Sequence, residues 1–113
     1  MQSWLRWVLV MTLVMLASSA CAREQRVPEG LRILIGSERV VLLSTTWCGY
    51  CKKLRADLDA AGVSYREWDT EQSEVGSQAR ARLGGGRTVP VTIVGDEILY
   101  GYQPDRIIRL AKQ

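Results

Sequence analysis

A short apolar run that passes into a cysteine pair and then into a helical pattern constrains this chain more than any other feature. Val40-Val41-Leu42-Leu43 is apolar on consecutive positions and rich in β-branched residues, which reads as a strand covered on both faces. Cys48-Gly49-Tyr50-Cys51 follows almost at once. From there Cys51, Leu54, Leu58 and Ala61 recur at spacings of three and four, while Lys52, Lys53, Arg55, Asp57 and Asp59 take the other faces and Gly62 supplies the stop. The spacing predicts a helix with Cys48 at its N-terminus and Cys51 one turn along on the same side.

The rest of the chain alternates in the same manner. Val63 to Trp68 reads as a second strand, and a polar helix is expected from about Glu71 to Leu83, with Val75, Ala79 and Leu83 on one stripe and Gly84-Gly85-Gly86 at its end. Val91 to Val94 makes a third strand. Gly95-Asp96-Glu97 is a tight turn into an antiparallel fourth strand at Ile98 to Tyr100. Pro104 opens a last helix that buries Ile107, Ile108 and Ala111. The order β-α-β-α-β-β-α implies an α/β domain, a mixed four-stranded sheet flanked by about three helices on its two faces. At 113 residues there is room for one such domain.

Residues 1–22 are read separately, as a signal peptide or membrane-targeting segment. Arg6 precedes an apolar stretch from Trp7 to Ala17, and small residues follow, which is the layout of a secretory signal. Cleavage after Ala20-Cys21-Ala22 would release a soluble domain. Leu16 to Cys21 also resembles a lipoprotein signal, in which Cys21 is lipidated. Retention as an anchor is the third outcome, although the uncharged stretch falls short of the roughly 20 residues that span a bilayer. Residues 23–36 read as a tether holding a short extra element, LRILI at 31–35, either strand or helix. The domain proper is expected over residues 37–113, in a bacterial envelope or periplasm, soluble or lipid-anchored.

Composition narrows the chemistry. Arg6 is the single charge in the first 22 residues, and the other 14 Lys or Arg are interspersed among 12 Asp or Glu, so no basic patch for nucleic acid is expected. Histidine is absent, which removes His-based metal sites, His-containing triads and a histidine pH switch. A C-x-x-C pair can be a reversible disulfide, half of a metal site or a structural staple. A metal would need two further ligands where Cys21 is the only other thiol, and a staple closing so small a loop restricts the unfolded chain little. Position favours redox chemistry. A thiol at a helix N-terminus meets unpaired N–H groups and the positive end of the dipole, so Cys48 is the expected nucleophile and the more shielded Cys51 the resolving thiol.

From Val40 to Lys112 the chain resembles the glutaredoxin family, through the strand leading to Cys48-Gly49-Tyr50-Cys51, the Arg87-Thr88-Val89-Pro90 segment and the stretch Gly101-Tyr102-Gln103-Pro104-Asp105. The resemblance implies a thioredoxin-like fold and glutathione as cosubstrate, with no tightly bound cofactor. It implies that Tyr50 lies beside glutathione, that Pro90 is cis with Thr88 and Val89 pairing to the cysteinyl part, and that Gly101, Tyr102 and Asp105 hold the γ-glutamyl end. Three positions depart from the usual pattern. Gly49 replaces the commoner proline, as in the actinobacterial mycoredoxins; Tyr102 stands where a second glycine is usual; and the lysine common before the active-site turn has no counterpart in Ser44, Thr45 or Thr46. Arg87 is the residue expected to supply the missing charge.

The function expected from the resemblance is a monomeric thiol-disulfide oxidoreductase acting on glutathione mixed disulfides or protein disulfides, resupplied by glutathione or a membrane electron donor. Two alternatives stand beside it. One is a thioredoxin-like envelope reductase independent of glutathione; the other is a module binding a [2Fe-2S] cluster between two copies.

Overall fold

The computed structural model of the chain describes residues 2–17 and 26–113. Its elements are α1 (Gln2–Ala17), α2 (Glu29–Ile35), β1 (Val40–Ser44), α3 (Gly49–Ala60), β2 (Arg66–Asp69), α4 (Glu74–Arg82), β3 (Val91–Val94), β4 (Glu97–Tyr100) and α5 (Pro104–Ala111). The strands lie in the order β2-β1-β3-β4. β1 runs parallel to β2 across the α3 crossover, while β1–β3 and β3–β4 are antiparallel.

β1 is buried at every residue, as its uninterrupted apolar run demands, and its alternating side chains serve two cores. Val40 and Leu42 pack with Leu54 and Leu58 of α3 and Ile107 of α5. Val41 and Leu43 pack with Leu31 and Ile35 of α2 and Ala79 of α4. The sheet is therefore a mixed one with helices on both faces, as the chain order predicts, and its architecture is the thioredoxin-like one that the family resemblance implies. Among the described residues four helices flank it rather than about three, because residues 29–35 are helical: Leu31 and Ile35, four apart, fall on one face and are both fully buried.

Two elements begin later than the hydrophobic pattern suggests, each because a loop satisfies its own backbone. At the end of α3, Val63 N–H donates to Leu58 O and Gly62 N–H to Asp59 O, with Gly62 at φ 70°. This pairing is a Schellman stop, and Val63 joins Leu58 in the same core cluster, so β2 starts only at Arg66. Asp69 Oδ1 then accepts the N–H groups of Glu71 and Gln72 at 2.8 Å each, which holds residues 70–72 in a turn. Ser73 caps α4 by accepting from Gly76 N at 3.2 Å, so the helix opens at Glu74 rather than Glu71.

α1 is a helix of 16 residues, with Trp4 and Trp7 exposed. Among the described residues no helix is long and apolar enough to cross a membrane. The expected processing site at Ala20-Cys21-Ala22 lies outside the described residues.

Candidate active site

Cys48 is the N-cap of α3, with an extended backbone at φ −78° and ψ 109°. Its carbonyl accepts from Lys52 N at 3.2 Å, and its Sγ accepts from Cys51 N at 3.1 Å. A serine or aspartate oxygen usually does this work; here a sulfur occupies the place where orphan helix N–H groups gather. Cys48 and Cys51 form a disulfide across a Cα separation of 5.2 Å, well within the usual range. Cys48 keeps 6% of its surface open and Cys51 none, so an incoming thiol reaches Cys48 first. Once reduced, the N–H aimed at Cys48 and the helix dipole favour its thiolate, the attacking form.

The Val89–Pro90 peptide is cis, and Pro90 is buried. Pro90 O accepts from Gly101 N at 2.8 Å, which ties the Thr88-Val89-Pro90 loop to the segment that enters α5. Thr88 and Arg87 are exposed, Val89 is half-buried, and Asp105 is exposed in the first turn of α5. Tyr50 projects from the active-site turn with 62% of its surface open, and its ring lies 5.5 Å from that of Tyr102, tilted by 33°.

Tyr102 is bound more tightly than its exposed surroundings suggest. Its hydroxyl donates to Asp57 Oδ2 on α3, and Lys53 Nζ stands 5.4 Å from its ring centre. The hydrogen bond to Asp57, with burial and the negative field of Asp57 and Asp105 added, pushes the Tyr102 hydroxyl up from 10.0 to about 12. The neutral phenol is the form that donates, so this contact stabilises the fold below pH 10 and is lost as pH rises from about 10 to about 12. Absorbance at 295 nm during alkaline titration should show Tyr102 ionising late. Asp57→Asn should bring it back towards 10, while Tyr65, raised first by its own burial and then by Asp59, stays where it is. An unchanged titration curve in that variant would refute the assignment.

A profile for the family described as Glutaredoxin matches residues 40–99, the stretch from β1 through β4. The chain belongs to the glutaredoxin family. A putative glutaredoxin of Mycobacterium tuberculosis is 34% identical over 58 residues, spanning 50% of this chain and 69% of that protein. Among solved structures, the holo form of glutaredoxin C1 from Populus tremula x tremuloides superposes with a TM-score of 0.57 at 29% identity, over 74% of this chain and 85% of that one. NrdH-redoxin of Escherichia coli, a glutaredoxin-like protein described as having a thioredoxin-like activity profile, superposes at 0.56 with 26% identity, over 65% and 95%. Membership and the Cys48–Cys51 pair together assign the chain to thiol-disulfide oxidoreduction.

In this glutaredoxin-family chain the structure also brings forward residues that the sequence pattern passes over. Trp47, next to Cys48 and 64% exposed, donates Nε1 to Glu71 Oε1 at 2.8 Å, so its ring is held outward as a wall. Arg80, which helical spacing places beside the apolar stripe, is buried and shares a cleft with Trp47, Thr45 and Arg87. No periodicity in the sequence announces a buried arginine, because its neighbour Ala79 already fills the expected core position. Among the described residues no three His, Cys, Asp or Glu side chains gather as a metal site.

Proposed function

We propose that the protein is a glutathione-dependent oxidoreductase that removes glutathione from mixed disulfides and reduces protein disulfides. The observation that carries this reading is Cys48 Sγ at the capped start of α3, beside exposed Tyr50. The Cys48 thiolate attacks the glutathione sulfur of a mixed disulfide; a Cys48–glutathione disulfide forms, and the protein thiolate leaves. A second glutathione thiolate then attacks that bond and leaves as glutathione disulfide, or Cys51 attacks it, forming the Cys48–Cys51 disulfide and expelling glutathione. Tyr50, Arg87 and the Thr88, Val89 and Pro90 backbone are the surface for the cysteinyl part. Gly101, Tyr102 and Asp105 serve the γ-glutamyl end, where Asp105 can accept from an ammonium while helix N–H groups receive a carboxylate.

The same reading places the reaction in a bacterial envelope, with residues 1–22 as the targeting segment and the domain acting as a monomer. An oxidising compartment then requires imported glutathione or a membrane electron donor to keep Cys48 reduced. One observation favours a glutathione-independent reductase as a second reading. The Tyr102 ring, bonded to Asp57 of α3 and set against Tyr50, would take up space where the first reading seats the γ-glutamyl end.

Reduction of a glutathionylated peptide and of a protein disulfide, driven by glutathione, cysteine or β-mercaptoethanol at equal thiolate concentration, separates the two. Glutathione should be the fastest donor on both substrates. Equal rates for all three thiols, with the protein disulfide still reduced, would transfer the assignment to the second reading.

A further inference from the structure

The active-site turn and the Thr88-Val89-Pro90 loop meet the sheet at the same end. Leu43 of β1 pairs with Val91 of β3, and Val91 with Tyr100 of β4, so the residues just beyond that row, those leading to Cys48, Pro90 and Gly101, stand side by side. Gly101 and Tyr102 then link the two walls of the site. Gly101 N donates to Pro90 O at 2.8 Å, which fixes the loop. Gly101 has φ 83°, a backbone that residues with a side chain rarely adopt, and this turn sends the next group to the opposite wall. There the Tyr102 hydroxyl donates to Asp57 Oδ2, its ring lies 5.5 Å from that of Tyr50, and Lys53 Nζ stands 5.4 Å from the ring centre. Tyr50, Lys53 and Asp57 are spaced by three and four, so they form one stripe of α3, and Tyr102 lies along it. The ring also packs on the core cluster that holds Leu54 and Leu58. Among the described residues, the bond to Asp57 is the one hydrogen bond between α3 and residues 86–103.

A substrate that touches both walls is oriented on Cys48 only as well as the walls are held relative to each other, and small misplacements of reacting atoms are costly. Apolar packing holds α3 to the sheet from below; at the surface the Tyr102–Asp57 bond does so. We propose that Tyr102 is a positioning residue: through Asp57 it fixes Tyr50 and the start of α3 against the Thr88-Val89-Pro90 loop, and so sets the spacing in which Cys48 receives a bulky disulfide. The inference rests on the oxidoreductase reading above, deepens it and holds whichever thiol resupplies the electrons. The Tyr102 hydroxyl is taken by Asp57, while the N–H that favours the Cys48 thiolate comes from Cys51. The effect of the brace therefore falls on how the substrate is received, not on the reactivity of the sulfur.

Asp57→Ala is the first test, since alanine is the better helix former inside α3 and the substitution leaves the Tyr102 ring intact. With a glutathionylated peptide, whose two arms reach both walls, KM should rise about three- to tenfold while kcat stays within about twofold of the parent. Exchange with bis(2-hydroxyethyl) disulfide, too small to span the site, and alkylation of Cys48 by iodoacetamide should keep the parent's rates. Asp57→Asn loses the same charge but keeps an accepting oxygen, so it should recover part of the KM. Tyr102→Phe keeps the ring and loses the hydroxyl; it should raise KM as Asp57→Ala does, and the double variant should go no further. Additive effects in the double variant would overturn the inference, as would a parental KM in Asp57→Ala. Equal slowing of the peptide and the small disulfide would reduce the bond to a structural role, which overturns it too. If Tyr102→Phe does not fold, the Asp57 pair decides: Asp57→Asn as impaired as Asp57→Ala would assign the effect to charge and end the proposal. A parent inert to every disulfide would instead defeat the oxidoreductase reading itself.

Discussion

Cys48→Ser should reduce removal of glutathione from a glutathionylated peptide to the uncatalysed background, whereas Cys51→Ser should retain a measurable share of it. The asymmetry follows from geometry. Only Cys48 sits at the start of α3 with an N–H directed at its sulfur, so among the described residues no second thiolate of similar reactivity can replace it. Cys51 is fully buried one turn along, and external glutathione can do its resolving work on a mixed disulfide. Reduction of a protein disulfide should suffer more from Cys51→Ser, because there the second cysteine must release a bulky partner from inside the complex. Peptide-resolved alkylation of the reduced protein provides an independent check: Cys48 should be modified faster near neutral pH. Faster modification of Cys51 would reverse the two roles.

Leu54→Ala should cost about 2–5 kcal/mol of folding stability, a large part of the roughly 5–15 kcal/mol typical of a small domain. Leu54 is fully buried one turn after Cys51 and belongs to the cluster that joins α3 to β1 and α5. Truncation removes apolar burial and leaves a hole between a strand and two helices that cannot all move in. A melting temperature lower by about 8 °C or more is the expected reading, against a shift corresponding to no more than about 0.5 kcal/mol for Ser64→Ala on the exposed surface. A loss below about 1 kcal/mol would show that the sheet face under the active-site helix is loosely filled.

Much of the site was legible because its residues are local in sequence. The stripe Cys51, Leu54, Leu58 and Ala61 orients α3, and that orientation alone puts Cys48 at the cap and Cys51 inside. The start of α4 was misplaced for an equally local reason, since Asp69 and Ser73 hold the preceding residues in a turn that apolar spacing does not register. The choice between strand and helix at residues 31–35 was different in kind. Five residues of which four are apolar suit either form, and the helix is settled by the face of β1, β3 and α4 that Leu31 and Ile35 cover.

The sequence by itself determined the element order, the core stripes and the cysteine pair at a helix N-terminus, because periodicity, glycine stops and cap positions act over one or two turns of chain. Tertiary structure alone decided what those cysteines have for neighbours. Tyr102 meets Tyr50 and Asp57 because α5 packs on the same face of the sheet as α3, at a separation of 45 residues from Asp57. Trp47 meets Glu71 across 24 residues, and Arg80 comes to share a cleft with Thr45 because α4 closes over the other face, next to the end of β1. The physical reason is that hydrophobic burial chooses which faces come together without regard to the polar groups carried along. Those groups take whatever partners the packing provides, and Arg80 Nη1 and Thr45 Oγ1 are left without one.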